Sequence, residues 1–147
     1  SLCDGPIIDL RGNVLGRHKG IARFTVGQRR GLGIASDRPM YVVGIRPETN
    51  TLVVGTWEES LANGLLASDC NWIEFERPSG PFRATAKIRY RSSPASALVV
   101  PHDDRSVRVL FDKPQRAVTP GQAAVFYHED IVVGGGTITS AIAPAGV

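Results

Sequence analysis

Short β-prone apolar runs recur along this chain, and turn-forming residues separate them, which is the pattern of short strands. Residues 7–10 and 14–15 flank Arg11-Gly12-Asn13, which predicts a hairpin around a Gly-Asn turn. Residues 41–45 and 51–54 flank the turn-rich Arg46-Pro47-Glu48-Thr49-Asn50, a second hairpin. Residues 97–100 and 107–111 pair across Asp103-Asp104-Arg105-Ser106, and residues 123–127 and 131–133 across His128-Glu129-Asp130. Gly134-Gly135-Gly136 predicts a bulge or sharp bend before Thr137. Residues 84–91 alternate throughout. As a regular strand they put Thr85, Lys87, Arg89 and Arg91 on one face and Ala84, Ala86, Ile88 and Tyr90 on the other. The best helical candidate is residues 57–61, brief and with acids in its first turn.

Many short strands and no long helical pattern predict an all-β chain, a barrel or roll. The loop Arg77-Pro78-Ser79-Gly80-Pro81 interrupts the pattern, and a domain boundary is expected beside it, giving one domain over residues 1–74 and another over 75–147. The apolar fraction of 42% and charged fraction of 21% are those of a globular protein and exclude disorder. The longest apolar runs are too short to span a bilayer, so no membrane partner is expected. The start of the chain has neither a basic nor an apolar leader segment, and the two cysteines, Cys3 and Cys70, form no CxxC pair. Both features predict a reducing, cytoplasmic compartment.

Catalytic chemistry is hard to place. There is no phosphate-binding GxxxxGK[ST] loop and no GxSxG elbow, and the segment from Gly27 to Gly33 does not match GxGxxG. His18, His102 and His128 are scattered and show no metal-ligand spacing with either cysteine. Neither cysteine has a base nearby in sequence to activate it. No catalytic residue, metal ligand or cofactor is therefore assigned to the chain.

A binding role finds more support. Net charge is only +3, but from Arg11 to Arg30 the chain carries Arg11, Arg17, Lys19, Arg23, Arg29 and Arg30 without a carboxylate. Residues 82–93 carry Arg83, Lys87, Arg89 and Arg91, again without an acid. Clustered cations of this kind neutralise phosphates; they are equally expected on solvated strand faces. Gln28, Arg29 and Arg30, in a glycine-rich loop, are candidates for holding a phosphate or a neighbouring domain. Lys87 and Arg91 are candidates of the same kind. Thr119-Pro120-Gly121-Gln122 has Pro and Gly where a type II turn wants them and presents Gln122 just beyond it.

These motifs, in this order, resemble the tRNA-specific 2-thiouridylases. The resemblance rests on Gly5-Pro6-Ile7-Ile8-Asp9, Gly16-Arg17-His18-Lys19-Gly20, the segment from Phe24 to Ile34 containing Gly27-Gln28-Arg29-Arg30-Gly31, Tyr41-Val42-Val43, and Ser68-Asp69-Cys70-Asn71-Trp72-Ile73. It continues through Lys87-Ile88-Arg89-Tyr90-Arg91, the segment from Val109 to Tyr127, and Gly134-Gly135-Gly136. The family implies a three-part enzyme. An N-terminal PP-loop domain adenylates the wobble uridine with ATP, and catalytic cysteines deliver persulfide sulfur supplied by a sulfur-relay protein. A small β-rich central domain and a C-terminal β-barrel similar to the second domain of elongation factors help dock tRNA. This chain contains neither the SGGxDS-type ATP loop nor the two catalytic cysteines, and Cys3 lies too close to the Gly5-Pro6-Ile7 motif to be one of them. The expectation is thus a non-catalytic tRNA-docking segment, with ATP and the sulfur chemistry in an N-terminal domain outside the chain. The resemblance carries tRNA contact to Arg89, Tyr90 and Gln122. On a regular strand Arg89 and Tyr90 point to opposite faces, so both touch RNA only near a strand end or bulge, or through backbone atoms. The alternatives are an independent RNA-binding β-barrel of the translation apparatus and an interdomain scaffold without direct RNA contact.

Overall fold

The computed structural model describes residues 3–144. Among them the chain forms an all-β fold in two compact units that divide between Ser60 and Leu61. In the first, strands β1 (Gly5–Ile8), β2 (Val14–His18), β3 (Tyr41–Arg46) and β4 (Thr51–Gly55) make one sheet in the order β2-β1-β4-β3. β1 and β4 run parallel, with Ile7 opposite Leu52, and the outer pairs are antiparallel. All five residues of β4 are buried, as a strand covered on both faces requires. Its core is Ile7, Leu32, Val42, Leu52 and Val54, against which Phe24, Val26 and Ile34 pack from the long connection between β2 and β3.

Both hairpins expected in this unit are present. At the first, the Asp9 carboxylate accepts the amide N–H groups of Arg11 and Asn13, each at 2.9 Å, and the Asn13 side-chain amide at 3.1 Å. A buried Asp side chain thus takes the place of strand pairing where the chain reverses. At the second, a 3₁₀ turn over Pro47–Thr49 ends on Asn50 in the left-handed region, φ 54°.

The second unit is a closed barrel. Its strands are β5 (Leu61–Trp72), β6 (Phe82–Lys87), β7 (Ala95–Asp103), β8 (Ser106–Arg116), β9 (Ala123–His128) and β10 (Ile131–Ile142), in the order β10-β5-β8-β7-β6-β9. The inward positions are mostly small, including Ala67, Ala86, Ala97 and Ala124, with Leu65, Val99, Val109, Phe126 and Ile138 filling the rest. Small residues suit the narrow interior of a six-stranded barrel. Trp72 stacks on Phe126 (centroids 5.8 Å apart) and meets Phe82 and Phe75 edge-on or tilted, so an aromatic cluster closes the end of the barrel where β6 begins.

Three expectations need correction. The boundary lies at residues 60/61, not 74/75, because β5 pairs with both β8 and β10 and is indispensable to the barrel. The brief helix at residues 57–61 is a 3₁₀ turn over Glu58–Ser60, and Leu61 already begins β5. The strand expected over residues 84–91 stops at Lys87.

The glycine run does not end a strand. β10 continues through it, and the register shifts twice near it. A Cβ on Gly134 would come within 2.3 Å of the Trp72 ring and 2.7 Å of the Asn71 carbonyl oxygen, neither of which can yield cheaply. Gly134→Ala is therefore expected to destabilise the barrel by about 1–3 kcal/mol, read as a lowered melting temperature by calorimetry. Acid sensitivity gives a second expectation. Burial works against the Asp9 anion, but the hydrogen bonds from Asn13 and Arg11 outweigh it and hold its carboxyl below the ordinary 3.8. A carboxyl depressed on folding stabilises above its unfolded pKa and loses that contribution as pH falls through the folded value. Asp9→Asn is expected to weaken the fall in stability below about pH 4, measured by circular dichroism melts across that range.

Candidate nucleic-acid interface

β6 ends at Lys87, and the residues that follow it carry Arg89 and Arg91 at one end of the barrel. Its register with β9 sets Lys87 opposite Val125. In this antiparallel pair the residues just past β6 emerge at the same rim as those just before β9. That brings residues 88–92 and 119–122 to one end of the barrel, although about thirty residues separate them in sequence. The aromatic cluster lies at the other end.

At this rim the chain leaves the strand immediately after Lys87. Ile88 is buried as an anchor, Arg89 is half-buried, and Tyr90 and Arg91 turn outward. Tyr90 is 88% exposed, and the Arg91 guanidinium lies over its ring, 5.8 Å from the centroid. Arg91 adopts a left-handed φ of 68°, which turns the chain back toward β7. Two neighbours with opposed side chains on a regular strand are thus both presented by a turn. The strand ends before Arg89 and Tyr90, so strand geometry does not hold the two to opposite faces.

Arg89 donates to the carbonyl oxygen of Arg116, at the end of β8. Burial, and then the Arg116 charge, push its guanidinium pKa below the ordinary value. The guanidinium stays charged, so this corner gathers positive charge while the Arg89 stem is held in place. Arg116 was missed in the sequence, where it lies between Gln115 and Ala117 with nothing to mark its nearness to Arg89. After it, buried Ala117 takes a left-handed φ of 54° and the Thr119 hydroxyl donates to its carbonyl. The type II turn follows as expected: Gly121 has φ 91° and the Gln122 amide donates to the Thr119 carbonyl at 3.2 Å. The turn is pinned to β10, since Gly121 donates to Ile138 and Ile138 donates to Gln122. The Gln122 side chain is exposed and makes no internal hydrogen bond among the described residues.

The other candidate loop belongs to the first unit. Gln28 is occupied internally, with its Oε1 accepting the Thr25 amide (3.1 Å) and its Nε2 donating to the Arg30 carbonyl (2.8 Å). It shapes the loop. Arg29 and Arg30 are exposed on it. His18 is buried, with Nδ1 accepting the Gly20 amide and Nε2 donating to the Asn50 carbonyl. His128 bridges Glu74 and the Arg83 carbonyl. Cys70 is buried, and desolvation, with the charges of Asp103 and Asp69, raises its thiol pKa to about 11. No helix among the described residues is long and apolar enough to cross a membrane.

Comparison with known proteins fits this division. A family described as a tRNA methyl transferase PRC-barrel domain matches residues 2–56, and one described as an aminomethyltransferase β-barrel domain matches residues 62–138. The tRNA-specific 2-thiouridylases of Acetivibrio thermocellus, Halothermothrix orenii and Symbiobacterium thermophilum are 54%, 48% and 49% identical to the chain over 91%, 91% and 97% of its length. The chain belongs to the tRNA-specific 2-thiouridylase family. It spans 37%, 37% and 36% of the lengths of those three relatives. In this thiouridylase-family chain each matched segment falls within one structural unit.

The rim residues separate cleanly by substitution. Tyr90→Ala is expected to leave stability within about 0.5 kcal/mol, since the ring is nearly all in solvent. Arg89→Ala is expected to cost about 1 kcal/mol through the lost bond to Arg116. Thermal denaturation of the two variants checks the difference.

Proposed function

We propose that the chain is the tRNA-docking part of a tRNA-specific 2-thiouridylase and that its barrel rim holds the RNA. The supporting observation is the corner where Arg89, Arg91 and Arg116 gather beside exposed Tyr90, at the same end of the barrel as Gln122. Arginines there neutralise phosphates, the Tyr90 ring offers a stacking face, and Gln122 both donates and accepts toward a sugar or a base edge. Arg89, fixed by Arg116, meets a phosphate without first losing its own rotational freedom. In this reading, thiolation of the wobble uridine with ATP and persulfide sulfur belongs to an N-terminal PP-loop domain fed by a sulfur-relay protein. The whole works in the cytoplasm.

The chain is expected to bind an unmodified tRNA transcript with a log–log salt slope of about −2 to −4, from three to five phosphate contacts. Arg89→Ala should weaken binding by roughly 1–2 kcal/mol and reduce the slope by about one unit. Gln122→Ala should weaken binding with the slope unchanged. Binding by the folded chain that ignores salt, or that neither variant alters, would remove the rim from the interface and leave the scaffold reading.

A further inference from the structure

The first unit holds a basic cleft that the barrel rim does not explain. β2 delivers Arg17 to its edge, Lys19 follows directly after the strand, and the 3₁₀ turn Ile21–Arg23 adds Arg23. The cleft has a volume of about 330 Å³, and its far wall is the segment from Gly31 to Gly33. A second depression, of about 250 Å³, lies against that same segment and is lined by Arg29 and Arg38. No carboxylate lines either one. Among the described residues, none of these five cationic side chains makes an ion pair or hydrogen bond. Elsewhere in the chain Arg11, Arg77 and Arg83 are each paired with a carboxylate. The amides of Gly31 and Gly33 likewise have no hydrogen-bond partner among the described residues.

Charge and backbone both point to an anion. Unpartnered amides beside guanidinium and ammonium groups are the donor set that phosphate oxygens accept from. Five unpaired cations on the two sides of one segment exceed what a single carboxylate needs and suit a ligand whose charge repeats along its length. His18 makes the cleft rigid. Its ring ties the end of β2 to Asn50 through Nε2 and fixes the following turn at Gly20 through Nδ1. Arg17 and Lys19 therefore leave from a fixed backbone on either side of a buried residue.

We propose that this cleft binds backbone phosphate of RNA, with Arg17, Lys19 and Arg23 as its cationic contacts. It is a second docking point, separate from the barrel rim. The inference rests on the docking reading above, and the test distinguishes its failure from the failure of that reading.

The whole 147-residue chain is titrated with an unmodified tRNA transcript at several salt concentrations. The variants are Arg17→Gln/Lys19→Gln/Arg23→Gln, Arg89→Ala, and a control with equal charge loss, Arg105→Gln/Arg108→Gln/Lys113→Gln. The cleft variant is expected to bind on the order of tenfold more weakly, with a slope smaller by about one to two units, while the control changes far less. Inorganic phosphate should shift the Gly31 and Gly33 amide resonances of the wild-type chain and not those of the cleft variant. A cleft variant with wild-type affinity and slope overturns this site while Arg89→Ala still reports on the rim. Equal losses in the cleft variant and the control overturn it as well, because charge alone would then suffice. Amide shifts that persist in the cleft variant would show that its cations are not the contacts. Failure of the wild-type chain to bind tRNA would overturn both readings. The side chains substituted in the cleft variant and in its control are exposed and unbonded, and coincident melting curves confirm their folding.

Discussion

The second unit depends on one closure, the pairing of β10 with β5. Without it the barrel is an open sheet with two exposed edges and a core of small residues that cannot bury itself. That pairing requires β10 to pass close beneath Trp72 and Cys70, and side chains at positions 134 and 136 would block the approach. The Gly134-Gly135-Gly136 run is therefore a condition of the topology. Through the Trp72–Phe126 stack it also sets the aromatic end of the barrel. Everything proposed at the opposite rim presumes that this closure holds the strand ends in place.

Closure also explains how sequence-distant residues share a surface. The antiparallel register of β6 and β9 fixes which ends coincide, and the early end of β6 at Lys87 frees the next residues to turn outward. Arg89 then performs two tasks. Its hydrogen bond to Arg116 joins the loop after β6 to the end of β8, and the same bond concentrates like charge at one corner. Like-charge crowding is unfavourable and is relieved by a nearby anion, which is what the proposed contact with RNA would supply.

Much of the fold was legible because it is local. Short β-prone runs flanking turn residues gave four hairpins and the all-β class, and Pro120-Gly121 specified the turn that the structure contains. The domain boundary was not legible at residues 77–81, since a loop rich in Pro and Gly looks the same between domains and between two strands of one barrel. Only the long-range pairing of β5 with β8 and β10 distinguishes them. The strand over residues 84–91 was overextended for a related reason: nothing in the alternation records that Arg91 takes a left-handed φ. At the candidate site, Arg89, Tyr90 and Gln122 came from resemblance, whereas Arg116 could be found only from the geometry. The glutamine of Gln28-Arg29-Arg30, a candidate for holding a phosphate or a neighbouring domain, braces its own loop through the Thr25 amide and the Arg30 carbonyl, which the sequence did not show.

The buried Cys70 has a practical consequence. Burial raises its thiol pKa to about 11, so the thiol is almost wholly protonated at pH 7, and the closed barrel wall shields it. An alkylating probe would meet exposed Cys3 directly and reach Cys70 only when the strands around it part. The rate of that slow second modification would be a clock for spontaneous opening of the barrel. It needs no label beyond the sulfur already present, and it would show whether RNA at the far rim makes the barrel open less often.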